Sequence, residues 1–167
     1  MTEPTRENGW QAGHAALLMA NHGRWTGRTL LADDTTPDDW GYRLYHAPFA
    51  LLSHDTLDDP CFTYANLTAQ RLFEMPWQEI VGLPSRYSAE PLVRAEREKL
   101  LTQVREYGYI DDYKGVRIAR SGRRFRILHA TVWTLLDAQG QAAGQAAAFS
   151  DWEVLPPEPG TEGAASG

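Results

Sequence analysis

The sequence predicts an α+β fold: a five-stranded antiparallel sheet with short helices on one face and a helical extension ahead of it. Three observations carry this. Two short apolar runs, 49–53 and 62–65, read as strands. A middle stretch, about 66–107, breaks into capped helical pieces. Three longer runs, about 113–120, 124–136 and 144–152, follow with only Ser121-Gly122 and residues 137–140 (DAQG) between them. Links this short leave neighbouring strands antiparallel.

Taken in order, residues 10–21 supply Ala12, Ala15, Ala16, Leu17, Leu18 and Met19, all good helix formers, and Asn21-His22-Gly23 reads as a stop. Thr36-Pro37-Asp38-Asp39 is a helix start. The threonine can cap, the proline φ suits the first turn, and the acids sit at the positive end of the helix dipole. That helix carries Trp40, Leu44 and Tyr45 and ends before Pro48. Asp58-Asp59-Pro60 turns the chain between the first two strands. Asn66 caps a short helix through Leu67, Ala69 and Leu72; Pro76 opens another that Gly82 closes. Pro91 starts a longer helix with Val93, Leu100, Val104 and Tyr107 on one stripe and Gly108 at its end. These elements divide the chain into a helical extension (1–46), a sheet domain (47–155) and a Pro/Gly-rich tail (156–167) expected to be disordered.

Composition narrows the function. The chain has 167 residues, 43% of them hydrophobic and 23% charged, with a net charge of −6. It is long enough to bury a core without disulfides or metal. An acidic surface argues against nucleic acid, whose phosphates require basic partners. The single cysteine, Cys61, cannot form an internal disulfide and suits a reducing compartment. No run approaches the ~18 apolar residues of a membrane span, and no signal-peptide pattern opens the chain, so the expectation is a cytoplasmic protein off the membrane. The histidines, His14, His22, His46, His54 and His129, lack the close spacing of a metal site. No Gly-rich phosphate loop, Ser-His-Asp arrangement or nucleophile elbow is present.

Three segments in this order resemble the PAS superfamily. FTYANLTAQRLFEMPWQEIVG (62–82) resembles its strand, Asn cap and short helices; GVRIARSGRRF (115–125) its hairpin; and LLDAQGQAAGQAAAFSDWE (135–153) its last turn and strand. With the helical lead-in and HDTLDDPCFTYAN, the chain is identified as resembling a bacterial stand-alone member of the MEKHLA group of PAS-like domains, which also occurs in plant homeodomain–leucine-zipper factors. The resemblance implies a sensory or protein-interaction module, non-enzymatic, that binds a small molecule and signals through a partner or homodimer.

It also implies a cavity between the short helices and the inner sheet face. In the fourth strand Phe125, Ile127, His129, Thr131, Trp133 and Leu135 share one face by alternation, and the resemblance makes the Ile127–His129 face the inner one. Ile127 and Phe149 stand where photosensing relatives place flavin-reading amides. No Cys stands near residues 82–87, where those relatives carry one, so no flavin is expected. No haem is expected either, because 91–107 lacks His. Cys61 reads as a small buried hydrophobe. Aromatics placed near the cavity are Tyr64, Trp77, Tyr87, Tyr113, Trp133 and Phe149. The direction of Arg117 depends on register: a two-residue loop pairs it with Arg126 and points it outward, whereas a three-residue loop pairs it with Ile127 and points it inward near His129. Inward, the two would suit an anionic ligand. Outward, Arg117 joins a solvated basic hairpin with Arg120, Arg123, Arg124 and Arg126.

A rival reading is a small α+β enzyme or carrier with a cone-like pocket, His129 acting as acid/base beside a carboxylate. Asp111 and Asp112 are expected in a solvated loop before the third strand. The other strand face, with Leu128, Ala130 and Val132, is apolar and needs a cover. The expected cover is the helix around 10–20 through Trp10, Leu17 and Leu18, or a second copy of the chain.

Overall fold

The computed structural model describes residues 1–90 and 94–157. Its elements are α1 (Ala12–Thr26), α2 (Pro37–Tyr45), β1 (Ala50–His54), β2 (Phe62–Ala65), α3 (Leu67–Phe73), α4 (Trp77–Ile80), α5 (Arg94–Tyr107), β3 (Tyr109–Ile118), β4 (Arg124–Leu136), β5 (Ala142–Phe149) and β6 (Asp151–Val154), with 3-10 turns at Arg6–Gln11 and Ser85–Ser88. The sheet is antiparallel in the order β2-β1-β5-β4-β3, and β6 extends it alongside β4. It has six strands where five are predicted. The predicted last strand breaks at Ser150, where the chain bends before resuming against β4.

Local chemistry fixes most of the joints. Asn66 is fully buried. Its Oδ1 accepts from the Ala69 N–H at 3.1 Å and the Leu51 N–H at 3.0 Å, and its Nδ2 donates to the carbonyls of Leu44 (3.0 Å) and Phe49 (2.9 Å). One amide thus caps α3 and ties it to β1 and α2. Gly108, at φ +92°, ends α5 with its N–H on the Val104 carbonyl at 2.8 Å. Leu100 and Val104 are buried on the predicted stripe, but Tyr107 is 72% exposed. The predicted start of this helix at Pro91 and Val93, and the tail from residue 158, lie outside the described residues.

α1 departs from its prediction. It runs through Asn21-His22-Gly23 and stops at Gly27, which is left-handed and donates to the Gly23 carbonyl. Tertiary contacts hold the last turns helical. The Asn21 amide bonds both the N–H and the carbonyl of Leu136 at 3.0 Å, and the His22 ring packs edge-on against Trp133 at 4.9 Å. Trp10 lies in the preceding turn with φ +57°.

The sheet separates two main clusters. Phe62, Phe73, Ile80, Phe125, Ile127 and Phe149 pack on the inner face. Leu18, Tyr64, Trp133, Leu135 and Ala146 pack under α1 and α2. Helix α1 is the expected cover, yet the residues beneath it differ from the expected Leu128, Ala130 and Val132. Strict alternation fails at His129. On β3, Asp111 and Asp112 stand between the pairs Ile110–Val132 and Tyr113–Ala130, where β4 offers Thr131 alone. One pair further on, Leu128 and His129 of β4 stand against Lys114 alone. Asp112 (φ +56°) and His129 (φ +53°) are the bulge residues, both left-handed. Beyond the bulge, Ala130 and Val132 face inward while Trp133 and Leu135 face α1.

Candidate functional site

A cavity of about 80 Å³ lies between the inner sheet face, α5 and the Ser85–Ser88 turn. Its walls are mainly apolar: Phe62 from β2, Phe73 from α3, Leu100 from α5, Ile127 and Val132 from β4, and Phe149 from β5. The β4 bulge shapes this wall, since it turns Ala130 and Val132 inward below Ile127.

Two arginines enter the wall. Arg97, on α5, is 3% exposed. Its guanidinium donates to the Ser85 hydroxyl and, at 2.7 Å, to Glu98, whose side chain is 64% exposed. Burial lowers its pKa; the Glu98 charge opposes this and the Arg117 charge adds to it. Arg117, on β3, pairs with Phe125 across the strands and lines the cavity. The loop beyond it spans residues 120–122, because Ala119 donates to the Arg123 carbonyl at 2.8 Å. The register therefore differs from both alternatives read from the sequence, and Arg117 points inward. Its guanidinium donates to the Val116 carbonyl at 2.9 Å and the Tyr113 hydroxyl at 3.3 Å; among the described residues no carboxylate pairs with it.

At the β1–β5 side, His54 and Gln145 are direct cross-strand partners and both line the cavity. His54 Nδ1 donates to the Asp55 carbonyl at 2.8 Å. Burial lowers the His54 pKa and keeps the ring neutral, with the Arg97 charge acting the same way. Gln145, 8% exposed, donates through Nε2 to the Leu101 carbonyl at 3.0 Å. His54 Nε2 and Gln145 Oε1 are out of solvent contact and have no hydrogen-bond partner among the described residues.

The MEKHLA domain family model matches residues 12–154. The chain belongs to this family. No curated protein matches it. Among solved structures, the MEKHLA domain described here is similar in fold to the PAS domain of a Colwellia psychrerythraea protein, with 14% identity and a TM-score of 0.59 over 66% of this chain and 91% of that one. It is also similar to a light-oxygen-voltage domain studied with a flavin analogue, with 14% identity and a TM-score of 0.55 over 75% of this chain and 91% of that one. A third is the light-state dimer of the fungal blue-light photoreceptor Vivid, with 15% identity and a TM-score of 0.53 over 74% of this chain and all of that one. The fold is PAS-like, and no helix among the described residues is long and apolar enough to cross a membrane.

In this MEKHLA domain Arg117, Ile127, Tyr113 and Phe149 line the cavity. Five other residues placed there from the sequence do not. The bulge carries His129 to the opposite, solvent-facing side, 58% exposed, where Nδ1 contacts Asp112 at 2.5 Å. It also turns Trp133 under α1. Tyr64 and Trp77 pack edge-to-face at 5.6 Å in the cluster beneath α1 and α2. Tyr87 is 48% exposed, with the Arg86 guanidinium over its ring. Asp111 and Asp112 belong to β3 rather than a loop, and Asp111 binds Arg28 and Thr131. Cys61 is partly exposed rather than buried, and desolvation and the neighbouring Asp55 and Asp59 raise its pKa, which keeps the thiol protonated.

Sequence reading misses Arg97, His54, Ser85 and Gln145. Arg97 carries a usable signal: it lies three residues before Leu100 on α5 and so shares its buried face. The inward direction of Gln145 follows only from the pairing of β5 with β1.

Proposed function

We propose that the protein is a sensory module that holds a small, anionic molecule in the inner-face cavity and transmits its presence to a partner protein or a second copy of itself, without catalysing a reaction. The observation that carries this is a largely apolar cavity entered by two guanidinium groups, one of them 3% exposed. Buried positive charge is costly unless an anion meets it. The PAS-like fold suggests a sensory role, and the dimer named for one similar structure makes a twofold assembly a reasonable output.

An acid–base enzyme fits less well, because the His129–Asp112 pair lies on the face opposite the cavity. A flavin also fits poorly. Cofactor-sized sites run to roughly 300–1,000 Å³, against about 80 Å³ here, and arginines stand in the wall. The test is an NMR screen of mixed acidic, neutral and basic fragments against the wild type and Ala130→Leu, which fills the cavity. Acidic fragments should shift resonances of α5, β4 and β5 in the wild type alone. If no fragment does so, or if the shifts persist in Ala130→Leu, the reading fails.

A further inference from the structure

The cavity offers more than positive charge. Its polar groups fall into two sets of opposite hydrogen-bonding sense. Arg97 and Arg117 are pure donors. The bonds of Arg97 go to one hydroxyl and to a carboxylate at the solvent boundary, and those of Arg117 to a carbonyl and a phenol. The cavity wall also carries two residues that each offer a pure acceptor atom. His54 donates its one ring proton from Nδ1 to Asp55, so Nε2 presents a lone pair. Gln145 commits its amide nitrogen to Leu101, so Oε1 presents lone pairs. Among the described residues neither atom meets a donor, although both are buried. Buried polar atoms are rarely left so, and each such atom calls for a partner.

The two acceptors belong to one structural unit, since His54 and Gln145 face each other across the β1–β5 ladder. They also adjoin the arginine end. Leu101, which holds the Gln145 amide, lies one turn of α5 from Arg97. A ligand that completes the site therefore carries an anionic group and, close to it, a hydroxyl donor, on a short carbon frame that suits Leu100, Val132 and Phe149. The cavity is small, about 80 Å³, which limits the frame to a few carbons.

We propose that the site binds a small hydroxycarboxylic acid, with its carboxylate on Arg97 and Arg117 and its hydroxyl donating to His54 Nε2 and Gln145 Oε1. This rests on the cavity reading above and specifies its ligand. Planar, two-pronged guanidinium groups match a carboxylate. The acceptors select the hydroxyl, because an analogue lacking it leaves them unpaired.

Titration calorimetry on the full chain with lactate, propionate, lactamide and inorganic phosphate tests this. Lactate should bind at least tenfold more tightly than each of the other three. Gln145→Leu should cut the preference for lactate over propionate by about fivefold or more. Arg117→Gln should weaken both acids about tenfold or more, with unchanged melting of the free proteins showing that the variants fold. Equal binding of lactate and propionate overturns the role of the acceptors and indicates that water fills their place. Lactamide or phosphate matching lactate overturns the carboxylate. If none of the four binds, the hydroxy acid is excluded, while the fragment screen still decides separately whether the cavity is a ligand site.

Discussion

Acid should loosen the contact between α1 and the sheet, and His14 lets the effect be sized. Its Nε2 lies 2.9 Å from the Ser53 hydroxyl, which is itself 2.8 Å from that of Thr63, and its ring packs on Tyr64 at 5.3 Å. Burial, with a smaller contribution from the N-terminal ammonium, lowers its pKa from 6.5 to about 4. Between those values the unfolded chain binds more protons than the folded one, so stability is full above about pH 6.5, falls as pH drops and levels off below about 4. At pH 5 the linkage amounts to about 2 kcal/mol, equivalent to a loss of about 1 M in urea midpoint for a typical slope. Urea unfolding at pH 7.5 and pH 5, in wild type and His14→Gln, measures it. The variant keeps a neutral side chain at the site, so His22, His54 and the carboxylates contribute equally to both proteins. The wild type should lose about 2 kcal/mol more than the variant across this range. Equal losses in the two proteins would refute the assignment of acid sensitivity to His14.

Three further perturbations follow. Asn66→Ala removes four hydrogen bonds, three of them buried, and leaves their backbone partners unmet, so it should cost ~3–5 kcal/mol in denaturant unfolding, and a loss below ~1 kcal/mol would contradict the joint described. Gly144→Ala drives a methyl into the His54 carbonyl oxygen at φ +145°, and should lower stability by ~3 kcal/mol or more; a neutral result in calorimetry would show that β1 and β5 can part there. Removing residues 1–26 bares Trp133, Leu135 and Leu51, and at roughly 1.5–3 kcal/mol for each large side chain should lower Tm by roughly 10 °C or more or drive association. An unchanged Tm in a monomer by sedimentation would show that α1 is not the cover.

Much of the fold is legible because its signals are local. The Asn66 cap on α3, Pro37 and Gly108 act within a few residues of themselves, and β2 and β4 begin and end where alternation and turn residues place them. The site is less legible because its geometry depends on pairing between distant strands. A single extra residue at His129 reverses the facing of everything beyond it, so Trp133 reads as a cavity residue and Ala130 as a surface one. The direction of Arg117 depends on the length of a loop three residues away. Asn21-His22-Gly23 has the composition of a helix end, and contacts with Leu136 and Trp133 more than 100 residues further along override it.

The surplus residues Asp112 and His129 sit side by side on β3 and β4, and Ser150 interrupts the next strand at the same level. Together they form a seam across three strands, and length changes along it are subject to a parity rule. Deleting His129 alone would swap Phe125 and Ile127 with their outward neighbours and leave β3 and β6 in their old phase. Removing all three at once would return every strand to a common alternation and flatten the sheet. Chain length here therefore varies without penalty only in matched sets.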